Sequence, residues 1–247
     1  MAALETIPYS FFSSKVVIYF FIGRMNPPHA GHEAALRQMM ERASAERSIP
    51  LILVGSGPNQ GERTLNDPLT FSTKRRVLQY RLSGSLCEIR EKTDPVRDVM
   101  EWTHEVMRNV GDVRSVEFKL VTGDKDGNAT KLDWIHKSLL KQMAPTGIPC
   151  KSDSIAIRAQ KSAGVEMSAT KVRQDALSAF VSGDGSFAKY SGYYGPHTAN
   201  VYGEITELAP AMGQPAVMHY IATGELAKKS KSKSKKKKNQ AENYSDA

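Results

Sequence analysis

The chain has 247 residues and a formal net charge of +8, and its 40% hydrophobic content suits one sizeable α/β domain and argues against global disorder. No apolar run approaches the roughly 18 residues of a membrane span, and no basic segment precedes an apolar signal core, so we expect neither a membrane protein nor a secreted one. The two cysteines, Cys87 and Cys150, have no metal-ligand spacing and cannot build a disulfide framework, which favours a reducing, cytoplasmic setting.

The first half of the chain alternates strand-like and helix-like segments. Lys15 to Ile22 is a run of β-branched and aromatic residues, typical of a strand buried on both faces. Apolar residues between Ala34 and Met40 then follow helical spacing, and Leu51 to Val54 predicts a second strand. Thr70 to Leu82 predicts another helix, and Leu86 to Ile89 a third strand.

The second half repeats this alternation. Pro95 opens a predicted helix that runs to Val110, and the strand Val116 to Val121 follows it. Thr130 to Gln142 predicts a helix, Ser154 to Ile157 a fifth strand, and a last helical region begins near Ser168. The pattern predicts an α/β fold with a Rossmann-like, doubly wound parallel sheet, in which ligands bind at the carboxyl ends of the strands near the topological switch point.

Composition divides the chain into four parts. They are an N-terminal extension (1–14), the α/β domain (15–182), a C-terminal helical cap of the same domain (183–227) and a disordered Lys/Ser tail (228–247). The tail carries eight lysines and two acids, so the rest of the chain is nearly neutral. A solvated tail is the simpler interpretation. Weak contacts with nucleic acid or another anionic partner are the alternative, although no aromatic residue stands between the lysines to stack on bases.

The first predicted strand leads into the segment 23–32, GRMNPPHAGH, just before a predicted helix. A helix N-terminus attracts phosphate, because its N–H groups are free and its dipole end is positive. Gly31 allows a close approach of backbone and ligand, and His29 and His32 can donate hydrogen bonds to phosphate oxygens. A chance surface occurrence is the alternative, and the position between strand and helix argues against it.

The second polar cluster is the segment 167–173, MSATKVR, at the start of the last helical region. Ser168 or Thr170 could simply cap that helix. Together with Arg173, however, they place two hydroxyl groups and a guanidinium at one helix end, which suits a polyphosphate.

These two segments resemble the signatures of the nucleotidylyltransferase superfamily. Segment 23–32 resembles G-R-F-x-P-x-H-x-G-H, and segment 167–173 resembles I-S-x-T-x-x-R. Their order and their separation across a β-α-β sheet match as well. Met25 departs from the signature, because it stands where the family usually has an aromatic residue.

The resemblance narrows to nicotinamide-nucleotide adenylyltransferases of the archaeal type and to the adenylyltransferase half of bifunctional proteins with a Nudix domain. Segment 63–71, RTLNDPLTF, resembles their loop R-T-x-x-N-P-F-T-F, with Asp67 and Leu69 as departures. Segment 95–98 with Trp102 resembles V-R-D…W, and Lys125 begins a stretch similar to K-D-x-S-S. The similarity covers about residues 15–180. No Nudix box occurs, so we do not expect that second activity.

The resemblance implies an adenylyltransferase that joins ATP and nicotinamide mononucleotide to give NAD and pyrophosphate, with Mg²⁺ accompanying ATP. It implies that the catalytic residues are His29, His32 and Arg173. The implied ATP-binding residues are Gly23, Arg24, Met25, Gly31, Ser168, Thr170 and Lys125. The implied residues for the pyridine mononucleotide are Arg63, Thr64, Arg97, Asp98 and Trp102. The sequence predicts no protein metal site, and a homo-oligomer is left open.

Several of these residues also have ordinary structural interpretations. Trp102 could be a core aromatic residue instead of a platform for the pyridine ring, and Arg97 and Asp98 could be a solvated pair at a helix start. Lys125 could be a plain loop lysine. For Trp134, the apolar neighbours in its predicted helix favour packing.

Two other functions compete with the implied one. The nearer is another transferase of the superfamily, with phosphopantetheine, choline phosphate, glycerol phosphate or FMN as acceptor. The other is a non-catalytic nucleotide-binding regulator. Both signatures are intact, whereas a protein that had lost catalysis should tend to lose the histidines or the arginine.

Overall fold

The computed structural model describes residues 13–55, 63–123, 129–157 and 167–226. These residues form one five-stranded sheet in which every pair of neighbouring strands is parallel. The strand order is β3-β2-β1-β4-β5. The strands are β1 (Lys15–Gly23), β2 (Leu51–Val54), β3 (Glu88–Glu91), β4 (Ser115–Gly123) and β5 (Cys150–Ile157). The predicted α/β class and parallel sheet are therefore confirmed.

Helices connect the strands and continue after the last one. The helices between strands are α1 (Ala30–Ala45), α2 (Phe71–Arg81), α3 (Pro95–Val110) and α4 (Ala129–Met143). After the sheet come α5 (Ala169–Ser182), α6 (Ser191–Tyr194), α7 (Thr198–Thr206), α8 (Ala209–Met212) and α9 (Gln214–Thr223). No helix in the described part of the chain is both long and apolar enough to cross a membrane.

Alternating side chains of the central strands bury against helices on both faces of the sheet. On one face, Val16, Ile18 and Phe20 of β1 join the core with α3 and α4. On the other face, Val17 and Tyr19 pack with α1 and α2. A third apolar cluster lies between α5 and the helices after it, where tyrosines and aliphatic residues meet.

The sheet order fixes where a ligand can bind. The chain leaves β1 toward β2 on one side and later returns to β4 on the other side of β1. The topological switch point is therefore at β1, and the crevice at the carboxyl ends of β1 and β4 is where such folds bind ligands. The loop from β1 to α1, which contains both histidines, begins at this point.

The two edge strands depart most from prediction. β3 begins at Glu88 instead of Leu86, and Leu86 is 57% exposed. β5 begins at Cys150, four residues before the predicted start, and its first residues are mostly polar. Edge strands bury fewer side chains than central strands, so apolar patterning does not mark their ends.

Candidate active site

His29 and Gly31 build the start of α1. His29 is the N-cap, and its Nδ1 accepts a hydrogen bond of 3.2 Å from the N–H of Gly31. With Nδ1 as acceptor, the neutral ring carries its proton on Nε2, which is then a donor. A Cβ on Gly31 would lie 3.1 Å from Cε1 of His29, so a larger residue would crowd the ring.

His32 lies one turn into α1, against His29. The two ring centroids are 3.9 Å apart, and the planes are tilted by 34°. Burial lowers the pKa of His29 to about 4; burial and the neighbouring His29 lower the pKa of His32 to about 3. Nδ1 of His32 is buried and has no hydrogen-bond partner among the described residues. The free protein therefore holds two neutral imidazoles at a helix N-terminus, and one of them has an unpaired nitrogen.

The depressed histidine pKa values predict a loss of stability in mild acid. The unfolded chain, with histidine pKa values near 6.5, binds more protons than the folded chain below that pH. The free energy of unfolding should therefore fall as the pH drops from about 6.5 to about 4. In urea titrations across this range, His32→Ala should reduce the slope of the free energy of unfolding against pH. Equal slopes for wild type and His32→Ala would contradict the pKa assignment.

Arg173 joins the second signature segment to the first. Its Nη1 donates to the carbonyl oxygen of Asn26, although the two residues lie 147 positions apart. Its Nε donates to the hydroxyl of Tyr220 at 2.6 Å, and its Nη2 donates to Thr170 at 3.2 Å. The two segments that the sequence assigns to one polyphosphate thus touch at the end of β1.

The guanidinium of Arg173 is buried without an opposite charge. Only 7% of the residue is exposed, and within the described ranges all its hydrogen-bond partners are neutral. A buried cation is costly unless an anion or several hydrogen bonds compensate it. Among the described residues, three of its five N–H donors have an acceptor, so two can serve a further one. The side chain of Asn26, 5% exposed, also has both amide atoms unpaired.

The start of α5 is capped and tightly packed. Ser168 is the N-cap, and its Oγ accepts from the N–H of Lys171 at 3.1 Å, so the structural interpretation of Ser168 is confirmed. Gly224, at the end of α9, adopts φ +71°, and a Cβ there would lie 2.6 Å from Cγ2 of Thr170. The C-terminal helices therefore fix the position of Thr170 beside Arg173.

The other residues of segment 23–32 differ in how exposed they are. Gly23 ends β1, and its carbonyl accepts from the N–H of Gly55 at 2.9 Å. Met25 adopts φ +49°, and only 1% of the residue is exposed, so the contact with ATP that the sequence predicts is not open in this conformation. Arg24 is exposed. The predicted ATP ligand Lys125 lies outside the described residues.

Trp102 does not line a pocket, in contrast to the prediction. It is 0% exposed in the core between the sheet and α3, with Cζ of Arg90 5.0 Å from the centroid of its ring. Asp98 is buried as well, and its two oxygens accept from the N–H and the hydroxyl of Thr93 at 2.8 and 2.7 Å. A pyridine ring therefore cannot stack on Trp102 without opening the core. Trp134, predicted to pack, is instead 50% exposed.

The two tryptophans should respond differently to substitution. Trp102→Ala is expected to lower the free energy of unfolding by about 3–5 kcal/mol, because it leaves a large cavity in the core. Trp134→Ala should cost about 1 kcal/mol or less, as expected for a half-exposed position. Urea titrations of both variants measure the difference. Similar losses in the two variants would contradict the placement of the rings.

The contacts of Arg97, Arg63 and Thr64 are with residues other than the histidines. Arg97 is at the exposed start of α3, where its side chain donates to the hydroxyl of Thr93. Arg63 forms an ion pair of 2.6 Å with Glu207. Thr64 is exposed, and its backbone pairs with that of Asp67 in a turn. Segment 63–71 therefore docks on the C-terminal helices, and the substrate role predicted for it finds no support in these contacts.

The groups that support the site could not be identified from the sequence. Lys74 is fully buried, and its Nζ donates to Asp67 at 2.6 Å and to the carbonyl oxygen of Gly55 at 2.8 Å. Tyr194 donates from its hydroxyl to the carbonyl of Pro28 at 3.0 Å, and Tyr220 supports Arg173. Only the position of Lys74 in the polar helix α2 was visible in the sequence; its burial follows from tertiary packing.

Two surface cavities are lined by other residues than these. One, of about 550 Å³, lies between α1 and the segment after α2 and includes Arg37, Met40 and Leu86. The other, of about 690 Å³, lies along α3.

No protein-family model matches the chain, and comparison with curated proteins finds no match either. The functional proposal therefore rests on the chemistry of the switch-point residues.

Proposed function

We propose that this protein is a nucleotidyltransferase that transfers the adenylyl group of ATP to a phosphorylated acceptor, nicotinamide mononucleotide in the first place. The observation that carries the proposal is the contact of Arg173 with the loop before His29. This contact unites a helix N-terminus, two imidazoles and an uncompensated guanidinium at the switch point of a parallel sheet. Such a set of donors suits the charge of a triphosphate.

The polar groups left unpaired in the free protein support the same assignment. Buried polar groups without partners are uncommon, and a bound ligand is one reason for them. Within the part of the chain that the structure describes, Nδ1 of His32 and both side-chain amide atoms of Asn26 are unpaired, and Arg173 has two donors without an acceptor. Phosphate oxygens accept hydrogen bonds from Nδ2 of Asn26, from the N–H groups of Arg173 and, once His32 is protonated, from its Nδ1. A bound anion favours that protonation, because it stabilises the imidazolium and raises the pKa.

The proposed reaction needs no base and no covalent intermediate. An oxygen of the acceptor phosphate, already anionic, attacks the α-phosphorus of ATP. The bond from the α-phosphorus to the bridging oxygen breaks, and pyrophosphate leaves with the electron pair. His29 and His32 donate hydrogen bonds to the phosphate oxygens where charge develops, and Arg173 neutralises the triphosphate. Positioning and charge stabilisation supply the catalysis in such transfers.

Mg²⁺ enters the proposed reaction as the ion that accompanies ATP. Among the described residues, no group of three His, Cys, Asp or Glu side chains could hold a metal ion. The proposal therefore gives Mg²⁺ no ligand among the described side chains. Phosphate oxygens and water are the usual ligands of Mg²⁺ when it travels with a nucleotide.

A panel of acceptors tests the proposed function. The protein is incubated with ATP, Mg²⁺ and one acceptor at a time, and pyrophosphate release is measured. The acceptors are nicotinamide mononucleotide, nicotinic acid mononucleotide, phosphopantetheine, FMN, choline phosphate and glycerol phosphate. We expect release with a pyridine mononucleotide. Release only with another acceptor would overturn the substrate assignment, and no release with any acceptor would overturn adenylyl transfer itself.

A further inference from the structure

The loop that leads from β1 to the histidines is held by side chains of the C-terminal helices. Among the described residues, positions 25–28 make no backbone-to-backbone hydrogen bond, and the two prolines in this stretch have no N–H to donate. The carbonyl of Asn26 accepts instead from Arg173, and the carbonyl of Pro28 accepts from the hydroxyl of Tyr194. The placement of the loop therefore depends on helices that follow the last strand.

Tyr194 fixes the residue directly before the histidine turn, which we define as residues 29–32. Its hydroxyl donates to the carbonyl of Pro28 at 3.0 Å, and its side chain is fully buried. Burial raises the pKa of Tyr194 well above its usual value, so the hydroxyl keeps its proton and remains a donor. His29 is bonded to Pro28 and contacts the ring of His32. A shift of the Pro28 carbonyl would therefore move both rings.

Arg81 holds the histidine turn from its other end. Glu33 directly follows His32, and its carboxylate accepts from Nε of Arg81 at 2.7 Å. Cζ of Arg81 lies 4.5 Å from the ring centroid of Tyr193, and its Nη1 donates to the carbonyl of Tyr193 at 3.4 Å. Tyr193 and Tyr194 are neighbours in α6, with ring centroids 5.0 Å apart. Helix α6 is thus linked to the turn both before its first histidine and after its second.

We propose that Tyr194 and Arg81 are positioning residues, which hold the two imidazoles of the histidine turn in the orientation that adenylyl transfer requires. Both act through a neighbour of the turn, Pro28 or Glu33, and neither is given a contact with substrate. The catalytic consequence rests on the proposed function, whereas the placement of the rings is a property of the free protein. Hydrogen-bond donors stabilise developing charge best when they are fixed in advance, and a misplacement of about 1 Å can cost about 10²-fold in rate.

The first test compares two buried tyrosines of the same cluster. Tyr194→Phe removes the hydroxyl that holds Pro28. Tyr190→Phe is the matched control, because its ring lies 6.2 Å from that of Tyr194 and its hydroxyl donates to Asp175 at 2.7 Å. In the transfer from ATP to nicotinamide mononucleotide, Tyr194→Phe should lower kcat by roughly tenfold to a hundredfold and change KM for ATP less. Tyr190→Phe should keep kcat near that of wild type, and urea titrations check that both variants are folded.

Arg81→Met is the second variant, and it serves on its own if Tyr194→Phe does not fold. The change leaves Glu33 with another ion pair. Arg90→Met is its control, because Arg90 also combines ion pairs with a place over an aromatic ring, with its Cζ 5.0 Å from the centroid of Trp102. Arg81→Met should lower kcat as Tyr194→Phe does, and Arg90→Met should not.

NMR of the imidazole nitrogens in the free protein separates this inference from the proposed function. Nδ1 of His29 accepts from the N–H of Gly31, so its chemical shift reports the geometry of the turn without turnover. The ring signals are assigned by their loss in His29→Ala and His32→Ala. We expect Tyr194→Phe and Arg81→Met to move these signals, and the two control variants to leave them at the wild-type positions.

The outcomes of the two arms can be distinguished. If the ring signals move as expected but no acceptor gives pyrophosphate, the proposed function fails and the positioning of the turn stands. Ring signals that stay in place in folded Tyr194→Phe and Arg81→Met would overturn the inference. A kcat that falls equally in these variants and in their controls would overturn it as well, because the residues would then act only through general stability.

Discussion

Replacing His32 with alanine is expected to lower kcat for adenylyl transfer by on the order of 10²-fold or more. The imidazole lies in a half-buried position at a helix N-terminus, beside His29 at a centroid distance of 3.9 Å. A donor fixed in such a place stabilises the charge that builds on the transferring phosphate, and it does so more strongly in the transition state than in the bound substrate. KM for ATP should therefore change less than kcat.

The same substitution should not unfold the protein. Nδ1 of His32 is already unpaired, so its removal breaks no hydrogen bond to that atom. The temperature of unfolding at neutral pH should stay near that of wild type, and His104→Ala, on the exposed side of α3, should leave both activity and stability intact. Turnover near the wild-type rate in a folded His32→Ala variant would contradict the role of the histidine.

Replacing Arg173 with methionine is expected to lower both stability and activity. The change removes hydrogen bonds to the buried carbonyl of Asn26 and to the hydroxyl of Tyr220. Each buried acceptor left without a partner costs about 1–3 kcal/mol, so the loss should be on the order of 3 kcal/mol. The loss of activity should exceed the loss that the unfolded fraction of the protein accounts for, because the triphosphate also loses the cation that binds it. Urea titration and steady-state kinetics on the same preparation measure the two effects.

Tyr220→Phe separates the structural from the chemical part of this effect. It removes the 2.6 Å bond to Nε of Arg173 and leaves the guanidinium in place. We expect a cost of about 1 kcal/mol with kcat reduced by less than about tenfold. If Tyr220→Phe and Arg173→Met lost activity equally, Arg173 would be a structural brace and the proposed contact with the triphosphate would be wrong.

Much of the central fold could be predicted from the sequence, because its residues are nearly all apolar. The second strand, Leu51–Val54, and the helix Pro95–Val110 have the predicted bounds, and the strand at Lys15 differs by one residue. Continuous apolar runs and a proline in the first turn are strong local signals. The edge strands were less predictable: β5 starts with residues that are mostly polar, and its pairing with β4 depends on backbone hydrogen bonds.

Residues of the candidate site that act within one short segment could be predicted from the sequence, whereas those positioned by packing between distant segments could not. His29, Gly31 and Ser168 act through the helix ends they begin, so a short segment is enough to place them. The burial of Trp102 depends on which face of α3 packs against the sheet, and the spacing of residues in the sequence does not determine that face. Arg173 and Asn26 lie 147 positions apart and meet only through the tertiary packing of α5 near the loop after β1. Such pairs are invisible to local patterns.

The most direct measurement of adenylyl transfer follows the label of ATP into product. The protein is incubated with Mg²⁺ and nicotinamide mononucleotide, and with ATP labelled at the α-phosphate in one reaction and at the γ-phosphate in a parallel one. We expect α-label in the dinucleotide and γ-label in pyrophosphate, with both signals lost in His32→Ala. Release of γ-label as inorganic phosphate, with no α-label in any dinucleotide, would mean that the protein hydrolyses ATP or transfers a different group, and would contradict the proposed chemistry.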